Sequence, residues 1–200
     1  MIHRKCIDRT RWIFDLDGTL TRPQHDFDAI RLELGIPAAE PILEYLGKLP
    51  ESQAAPLYAR LDTIEDALAE AVVPQAGCAR LLEALAARNA DLGILTRNSR
   101  SNALRSLEIL GVQELFDPNC VLGRAEAPPK PDPGGILALL QRWQCLPEDA
   151  VMVGDFRFDL EAGRAAGVMT IHLDTAAAFP WPELTDLGVS HLEEIIAQLK

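Results

Sequence analysis

Short apolar runs alternate with longer stretches of helical periodicity along most of the chain. The apolar runs lie at residues 12–14, 92–95, 120–122, 151–153 and 168–171. Helical spacing is found at residues 79–88, 100–110, 134–143, 158–166 and 192–199. Gly111, Gly167 and Gly188 are predicted to stop helices. Because such alternation is typical of βα units, it predicts an α/β fold whose core is a doubly wound, Rossmann-like parallel sheet.

Residues 22–73 break this alternation because they contain no strand-like run. Apolar positions at helical spacing are Phe27, Ile30 and Leu34, then Leu57, Leu61, Ile64, Leu68 and Val72. Prolines separate these stretches. We therefore predict a small all-α cap inserted after the first strand, with residues 1–21 and 74–200 forming the core. The insertion should lie above the carboxyl edge of the sheet, because the first strand ends there.

Composition and charge exclude several classes of protein. Hydrophobic residues make up 48% of the chain and charged residues 24%, which is ordinary for a globular protein. A net charge of −11 without a basic stripe argues against nucleic acid and anionic membranes as partners. No apolar run approaches the roughly 20 residues of a membrane span, and the basic N-terminus lacks the apolar segment of a signal peptide.

The four cysteines are Cys6, Cys78, Cys120 and Cys145. They are scattered and have no histidine at ligand spacing, so we interpret them as reduced thiols rather than as a disulfide framework or a zinc site. The sequence therefore predicts a cytoplasmic protein. It leaves the oligomeric state open, with a monomer favoured.

Polar residues suited to one reaction follow four predicted strand ends. They are Asp15 and Asp17, Thr96, Lys130, and Asp155 with Asp159. In a doubly wound sheet such strand ends converge on one crevice. Phosphoryl transfer needs a nucleophile, a hard cation, donors for the phosphate oxygens and a proton donor. Since clustered carboxylates repel one another without a cation, the set favours a Mg²⁺ site.

Four segments, in this order, resemble the four motifs of the haloacid dehalogenase superfamily of hydrolases. They are Asp15-Leu16-Asp17-Gly18-Thr19-Leu20, the strand-end Thr96, Lys130-Pro131-Asp132-Pro133, and Gly154-Asp155-Phe156-Arg157-Phe158-Asp159. The resemblance runs from about residue 12 to residue 173 and is closest to phosphoglycolate-phosphatase-like members with a cap at the first insertion point. It implies a Mg²⁺-dependent phosphatase that hydrolyses a small phosphorylated metabolite through a phospho-aspartate.

The resemblance also implies roles for individual carboxylates. Asp15 would be the nucleophile and a Mg²⁺ ligand. Asp17 would be the general acid and then the base that activates water, while its backbone carbonyl binds Mg²⁺. Asp155 would be a further Mg²⁺ ligand.

The phosphate would be held by a second group of residues. The resemblance assigns Thr96 and Lys130 to the transferring phosphate, with Arg97 beside them in the phosphate and substrate site. Asp159 would support this group by orienting Lys130 or a metal-bound water. Backbone N–H groups expected to help are those of Leu16, Asp17 and Arg97.

Two departures from the family pattern leave the substrate open. Phe156 stands where a small residue usually follows the aspartate, and residues 122–127 lack the more typical Gly-Asp-rich sequence. One alternative function is a phosphomutase or another phosphotransferase of the superfamily, which would need a clamp for a second phosphate. Another is a phosphoacceptor signalling domain, which would place its acceptor aspartate after a later, central strand.

Several residues near this set have two interpretations. Arg22 and His25 face the substrate or lie at a hinge. Asn98 contacts the leaving group or, like Ser99, caps the following helix, and Arg124 is in a loop that faces the crevice. The acidic positions Glu65, Asp66 and Glu70 predict a solvated helix face.

Overall fold

A six-stranded sheet forms the centre of the molecule in the computed structural model, which describes residues 7–38 and 40–199. Its strands are β1 (Arg11–Phe14), β2 (Asp91–Leu95), β3 (Val121–Leu122), β4 (Ala150–Gly154), β5 (Met169–Leu173) and β6 (Leu187–Val189). The strand order is β3-β2-β1-β4-β5-β6, and every neighbouring pair is parallel. The predicted α/β, doubly wound fold is confirmed.

Helices follow the strands and cover both faces of the sheet. The helices are α1 (Phe27–Leu34), α2 (Ile42–Gly47), α3 (Glu51–Ala69), α4 (Cys78–Ala86), α5 (Arg100–Ile109), α6 (Gly134–Trp143), α7 (Arg157–Ala166) and α8 (Glu193–Ile196). Trp12 and Phe14 of β1 pack with α4, α5 and α8. Ile13 points the other way and packs with α6 and α7. Because both faces of the sheet are covered, most positions of the strands are buried and apolar.

Helices α1, α2 and α3 form an insertion directly after β1, as predicted. They bury side chains of their own, led by Ile30, Leu34, Leu46 and Leu61. Two backbone hydrogen bonds join the ends of the insertion: the N–H of Arg22 donates to the carbonyl of Val73 at 2.8 Å, and the N–H of Gln75 donates to that of Leu20 at 2.9 Å. The chain therefore leaves and re-enters the core at adjacent points, which we call the neck (residues 20–22 and 73–75).

The strand β6 corrects one expectation. Gly188 was predicted to stop a helix, which is wrong, because it lies inside β6 opposite His172 of β5. Three residues with a glycine in the middle are too short to show the apolar pattern of a strand. The segment becomes a strand because β5 offers an edge with which it pairs.

The inward face of α3 corrects another expectation. Glu65 is buried rather than solvated, whereas Asp66 and Glu70 are exposed as predicted. The buried positions Leu61, Glu65 and Ala69 are four residues apart, so they share one helix face. A glutamate at such a position needs a partner, which the core provides.

The helices also differ in detail from the predicted stripes. Val72 follows the end of α3, and Phe27 is 55% exposed although it shares the face of Ile30 and Leu34. No helix among the described residues is both long enough and apolar enough for a membrane span.

Candidate active site

The strand β1 lies in the middle of the sheet, and Asp15 directly follows its last residue at the carboxyl edge. The N–H of Asp15 donates to the carbonyl of Val153 at 2.9 Å, so the backbone continues the strand pairing to this residue. Gly18 then turns the chain with a φ of +94°, and a Cβ there would overlap the carboxylate of Asp155. Only glycine allows this close approach of the first and last motifs.

A buried ion pair joins the first motif to the third. The Nζ of Lys130 lies 2.6 Å from Asp15 Oδ1 and 2.5 Å from Asp159 Oδ1. Burial alone would lower the pKa of Lys130, but the two carboxylates outweigh it and raise that pKa, so the ammonium stays charged. The other oxygen of Asp159 accepts a hydrogen bond from the N–H of Phe156 at 3.0 Å, which fixes the carboxylate at the start of α7.

Three buried or half-buried carboxylates meet around this lysine. Asp15, Asp155 and Asp159 each place an oxygen within 4.8 Å of the others. Burial, followed by the charge of Asp159, raises the pKa of Asp155 to about 7. Burial also raises the pKa of Asp15 well above its usual value, although Lys130 opposes this.

The net charge of Lys130 and the three carboxylates indicates whether a divalent cation fits this site. One ammonium faces three carboxylates, so the ionised cluster is negative and unfavourable as it stands. Carboxylate oxygens are the donors that Mg²⁺ prefers. The hydroxyl of Thr19 donates to Asp155 Oδ1 at 3.3 Å and restrains that side chain. The donor set therefore fits Mg²⁺. The cluster also contains Asp159, whereas the ligands predicted from the sequence are Asp15, Asp155 and the carbonyl of Asp17.

Asp17 lies outside this carboxylate cluster and contacts both parts of the molecule. The side-chain amide of Asn98 donates to Asp17 Oδ2 at 3.3 Å. From the insertion, Nδ1 of His25 lies 4.0 Å from Asp17 Oδ1. Ser99 caps α5 by accepting from the N–H of Asn102, so Asn98 is free to reach Asp17.

Thr96 and Arg97 follow β2 at the same edge. Thr96 is buried and its hydroxyl oxygen accepts from the N–H of Asn98 at 3.0 Å. Arg97 lines the cavity, but its guanidinium donates to both oxygens of Glu44 on α2, at 2.9 and 2.7 Å, and to the carbonyl of Lys130. Its cation is therefore occupied by the insertion.

Further ion pairs connect the insertion to the core. Arg124 donates to Glu65 at 2.6 Å and also pairs with Asp62. Arg105 pairs with Glu70 at 2.8 Å. These acidic partners were not predicted from the sequence. For Glu65, the signal was its position four residues after Leu61, which places it on the apolar face of α3. Arg22 lies at the neck and is exposed.

A cavity of about 490 Å³ lies between the insertion and the core. Its floor contains the catalytic candidates Asp15, Asp17, Thr96, Lys130, Asp155 and Asp159. Together with Arg97, these residues line one cavity, as expected from the convergence of parallel strand ends, whereas Arg22 and Arg124 do not line it.

Comparisons with known proteins agree with this geometry. A family model described as haloacid dehalogenase-like hydrolase matches residues 24–173. An uncharacterised hydrolase of Saccharomyces cerevisiae is 29% identical over 92% of this chain and 88% of its own. A phosphoglycolate phosphatase of Rhodospirillum rubrum is 32% identical over 80% of this chain and 77% of its own.

A solved structure shows the same fold. A hydrolase of the HAD superfamily from Geobacter sulfurreducens superimposes with a TM-score of 0.67 at 22% identity, covering 94% of this chain and 98% of its own. Together with the family match, this confirms the resemblance carried by the four motifs. The chain belongs to the haloacid dehalogenase-like hydrolases and is an enzyme of that family.

Proposed function

We propose that this hydrolase is a Mg²⁺-dependent phosphatase that acts on a small phosphorylated metabolite through a phospho-aspartate on Asp15. The observation that carries the proposal is the floor of the cavity. There the carboxylate of Asp15 lies 2.6 Å from the ammonium of Lys130 and within 4.8 Å of the carboxylates of Asp155 and Asp159. A nucleophile, a fixed cation and a site for a hard metal thus share one surface.

Asp15, Asp155 and the backbone carbonyl of Asp17 would hold the ion. When bound, Mg²⁺ would neutralise the cluster and polarise the phosphate oxygens. Asp15 would present a carboxylate oxygen to phosphorus, and the P–O bond to the leaving group would break on the opposite side. Lys130 and the hydroxyl of Thr96 would donate to the transferring phosphate. The ion pair with Asp159, at 2.5 Å, supports this role because it holds the ammonium of Lys130 at the floor of the cavity.

Asp17 is the proposed acid and base. It lies outside the Lys130 cluster, between Asn98 of the core and His25 of the insertion. It would protonate the leaving alcohol and then remove a proton from the water that hydrolyses the acyl phosphate. Asn98, which donates to Asp17 Oδ2, would direct the other carboxylate edge toward the leaving group.

The insertion is the proposed cap, with residues 22–73 as one unit and residues 1–21 and 74–200 as the core. The neck supports this division because both connections are adjacent. The ion pairs from Arg97 and Arg124 to α2 and α3 support a closed position over the cavity. Closure would exclude bulk water and place residues of the cap against the leaving group.

The relatives support phosphate chemistry but not one substrate. The relative from Rhodospirillum rubrum is named for phosphoglycolate. A mutase would need a second site for phosphate, and the cations that line the described part of the cavity already have carboxylate partners. Membership of a hydrolase family leaves the signalling alternative without support.

Phosphate release from 4-nitrophenyl phosphate tests the proposal. With Mg²⁺ we expect steady turnover, and with a chelator we expect none. Rapid quenching during turnover should trap a phosphoryl group on the peptide that contains Asp15. Turnover that is undiminished in chelator, or a phosphoryl group on another residue, would reject the mechanism.

A further inference from the structure

The wall of the cavity above Asp15 is mainly apolar. The insertion contributes Phe27, Ile42 and Leu43, and the core contributes Phe156 and Phe158. Phe27 and Phe156 are 55% and 50% exposed, although such rings are normally covered. Two exposed aromatic side chains, one from each part of the molecule, therefore face the same cavity. Apolar surface of this kind in a concave site is typical of surface that a ligand covers.

Both exposed rings contact neighbouring rings. The ring of His25 stacks on Phe27, with centroids 5.4 Å apart and planes 14° from parallel. Phe156 makes edge contacts with Phe158 at 5.1 Å and with Trp181 at 5.4 Å. Since the rings are already held, a ligand that packs on them gives up little side-chain freedom of the protein.

The charges in the same cavity argue against a second anionic group on the ligand. Among the described residues that line it, Arg31 pairs with Asp28 at 2.6 Å and Arg97 with Glu44 at 2.7 Å. Lys130 pairs with the carboxylates on the floor and is the proposed donor to the transferring phosphate, so it is not available for a second anionic group. Glu40 and Glu65 add acidic groups to the wall. A carboxylate on the leaving group would have to displace one of these partners or remain beside negative charge.

We infer that the substrate of this site is a phosphate monoester whose leaving group is uncharged and apolar, either aromatic or alkyl, rather than a small carboxylate such as that of phosphoglycolate. This inference rests on the proposed phosphatase function. Phe27 and Phe156 are the specificity-determining residues, because the leaving group lies on them when its phosphate is at Asp15. Phe156, which replaces the small residue of the family pattern, thereby gains a role.

Matched esters provide the test. The leaving groups of propyl phosphate and phosphoglycolate have the same length, but beyond the first CH₂ one carries an ethyl group and the other a carboxylate. Benzyl phosphate carries an aromatic ring at that position. With Mg²⁺ and the full-length protein, we expect kcat/KM for benzyl phosphate to exceed that for phosphoglycolate by about tenfold or more, which corresponds to about 1.4 kcal/mol. Propyl phosphate should lie between the two.

Single substitutions test which residues set the preference between the esters. Phe27→Ala should reduce the benzyl-to-phosphoglycolate ratio about fivefold or more, while Leu32→Ala should leave it unchanged. Leu32 is the matched control because it is on the same helix, is 84% exposed and does not line the cavity. Glu44→Gln releases Arg97 from its carboxylate partner and should raise kcat/KM for phosphoglycolate relative to propyl phosphate.

The outcomes separate the two proposals. If 4-nitrophenyl phosphate and all three esters are inert, the phosphatase function fails. If the esters are hydrolysed but phosphoglycolate is preferred, the phosphatase stands and the inference is overturned. An apolar preference that is equal in wild type and Phe27→Ala would also overturn the role given to Phe27.

Discussion

The carboxylate of Glu65, on α3 of the insertion, lies 2.6 Å from the guanidinium of Arg124 in the core, and about nine-tenths of each side chain is buried. Burial raises the pKa of Glu65 to about 7, with smaller contributions from the charges of Asp17 and Asp62, although Arg124 opposes the shift. This contact between insertion and core therefore changes its charge near neutral pH.

Glu65→Gln should remove a pH dependence of stability. Because the pKa is higher in the folded protein than in the unfolded chain, the stabilisation is present below about pH 4.5 and is lost as pH rises through about 7. The free energy of unfolding of wild type, measured against Glu65→Gln, should fall by about 1–3 kcal/mol between pH 5 and pH 8. Urea unfolding at four pH values measures it.

Asp66→Asn is the matched control, since Asp66 is the exposed neighbour of Glu65 on the same helix. Its difference in unfolding free energy from wild type should change little over the same range. A difference between wild type and Glu65→Gln that is equally flat would contradict the assignment of the titration to Glu65.

Asp15→Asn should abolish turnover and leave the fold intact. An amide cannot attack phosphorus, and Lys130 keeps Asp159 as its partner. We expect kcat to fall by at least a hundredfold, or about 2.7 kcal/mol of barrier, with a melting temperature within a few degrees of wild type. Phosphate release and thermal melting check this, and activity above about one per cent of wild type would exclude Asp15 as nucleophile.

Asp155→Asn and Asp159→Asn should fail in different ways. Asp155 is a proposed metal ligand, so its loss should raise the Mg²⁺ concentration for half-maximal activity by about tenfold or more. Asp159 holds Lys130 at 2.5 Å, so its loss should lower kcat at saturating Mg²⁺ and change the half-maximal concentration less. Magnesium titrations of the two variants decide, and identical shifts in both would reject the separate roles.

Asn98→Asp should lower kcat and leave KM nearly unchanged. The replacement keeps an oxygen that can accept from the N–H of Ser99 but removes the amide that donates to Asp17. It also sets a second negative charge beside the proposed acid. We expect a loss of about tenfold to a hundredfold in kcat. Steady-state kinetics would contradict the positioning role if KM rose instead while kcat was retained.

The sheet and the floor of the cavity were predictable because their signals are local. Asp15 and Asp17 directly follow an apolar strand, and Asp155 follows another, so the topology alone brings them together. The structure places Asp15, Lys130 and Asp159 in direct contact, as their proposed roles need. Those roles stay predictions until they are tested, and so does the cytoplasmic location.

What could not be predicted depends on contacts between distant segments. Glu65 looks like any exposed acid until α3 is placed against Arg124, 59 positions away. Phe27 looks like a core residue of α1 until the cavity opens beside it. The strand β6 exists because β5 provides an edge. Helical and strand periodicity describe one element at a time, and none of these relationships lies within one element.

The paired ends at the neck allow the insertion to change without a change in the catalytic floor. Residues 20–22 and 73–75 are hydrogen-bonded to each other. The distance between the two ends of the insertion is therefore fixed, and it does not depend on the length or the fold of the segment between them. Lengthening such a loop costs only a fraction of a kcal/mol for each doubling in length, about 0.6. The intervening helices, which line the cavity, can therefore be exchanged without moving Asp15, which lies five residues before the neck begins at Leu20.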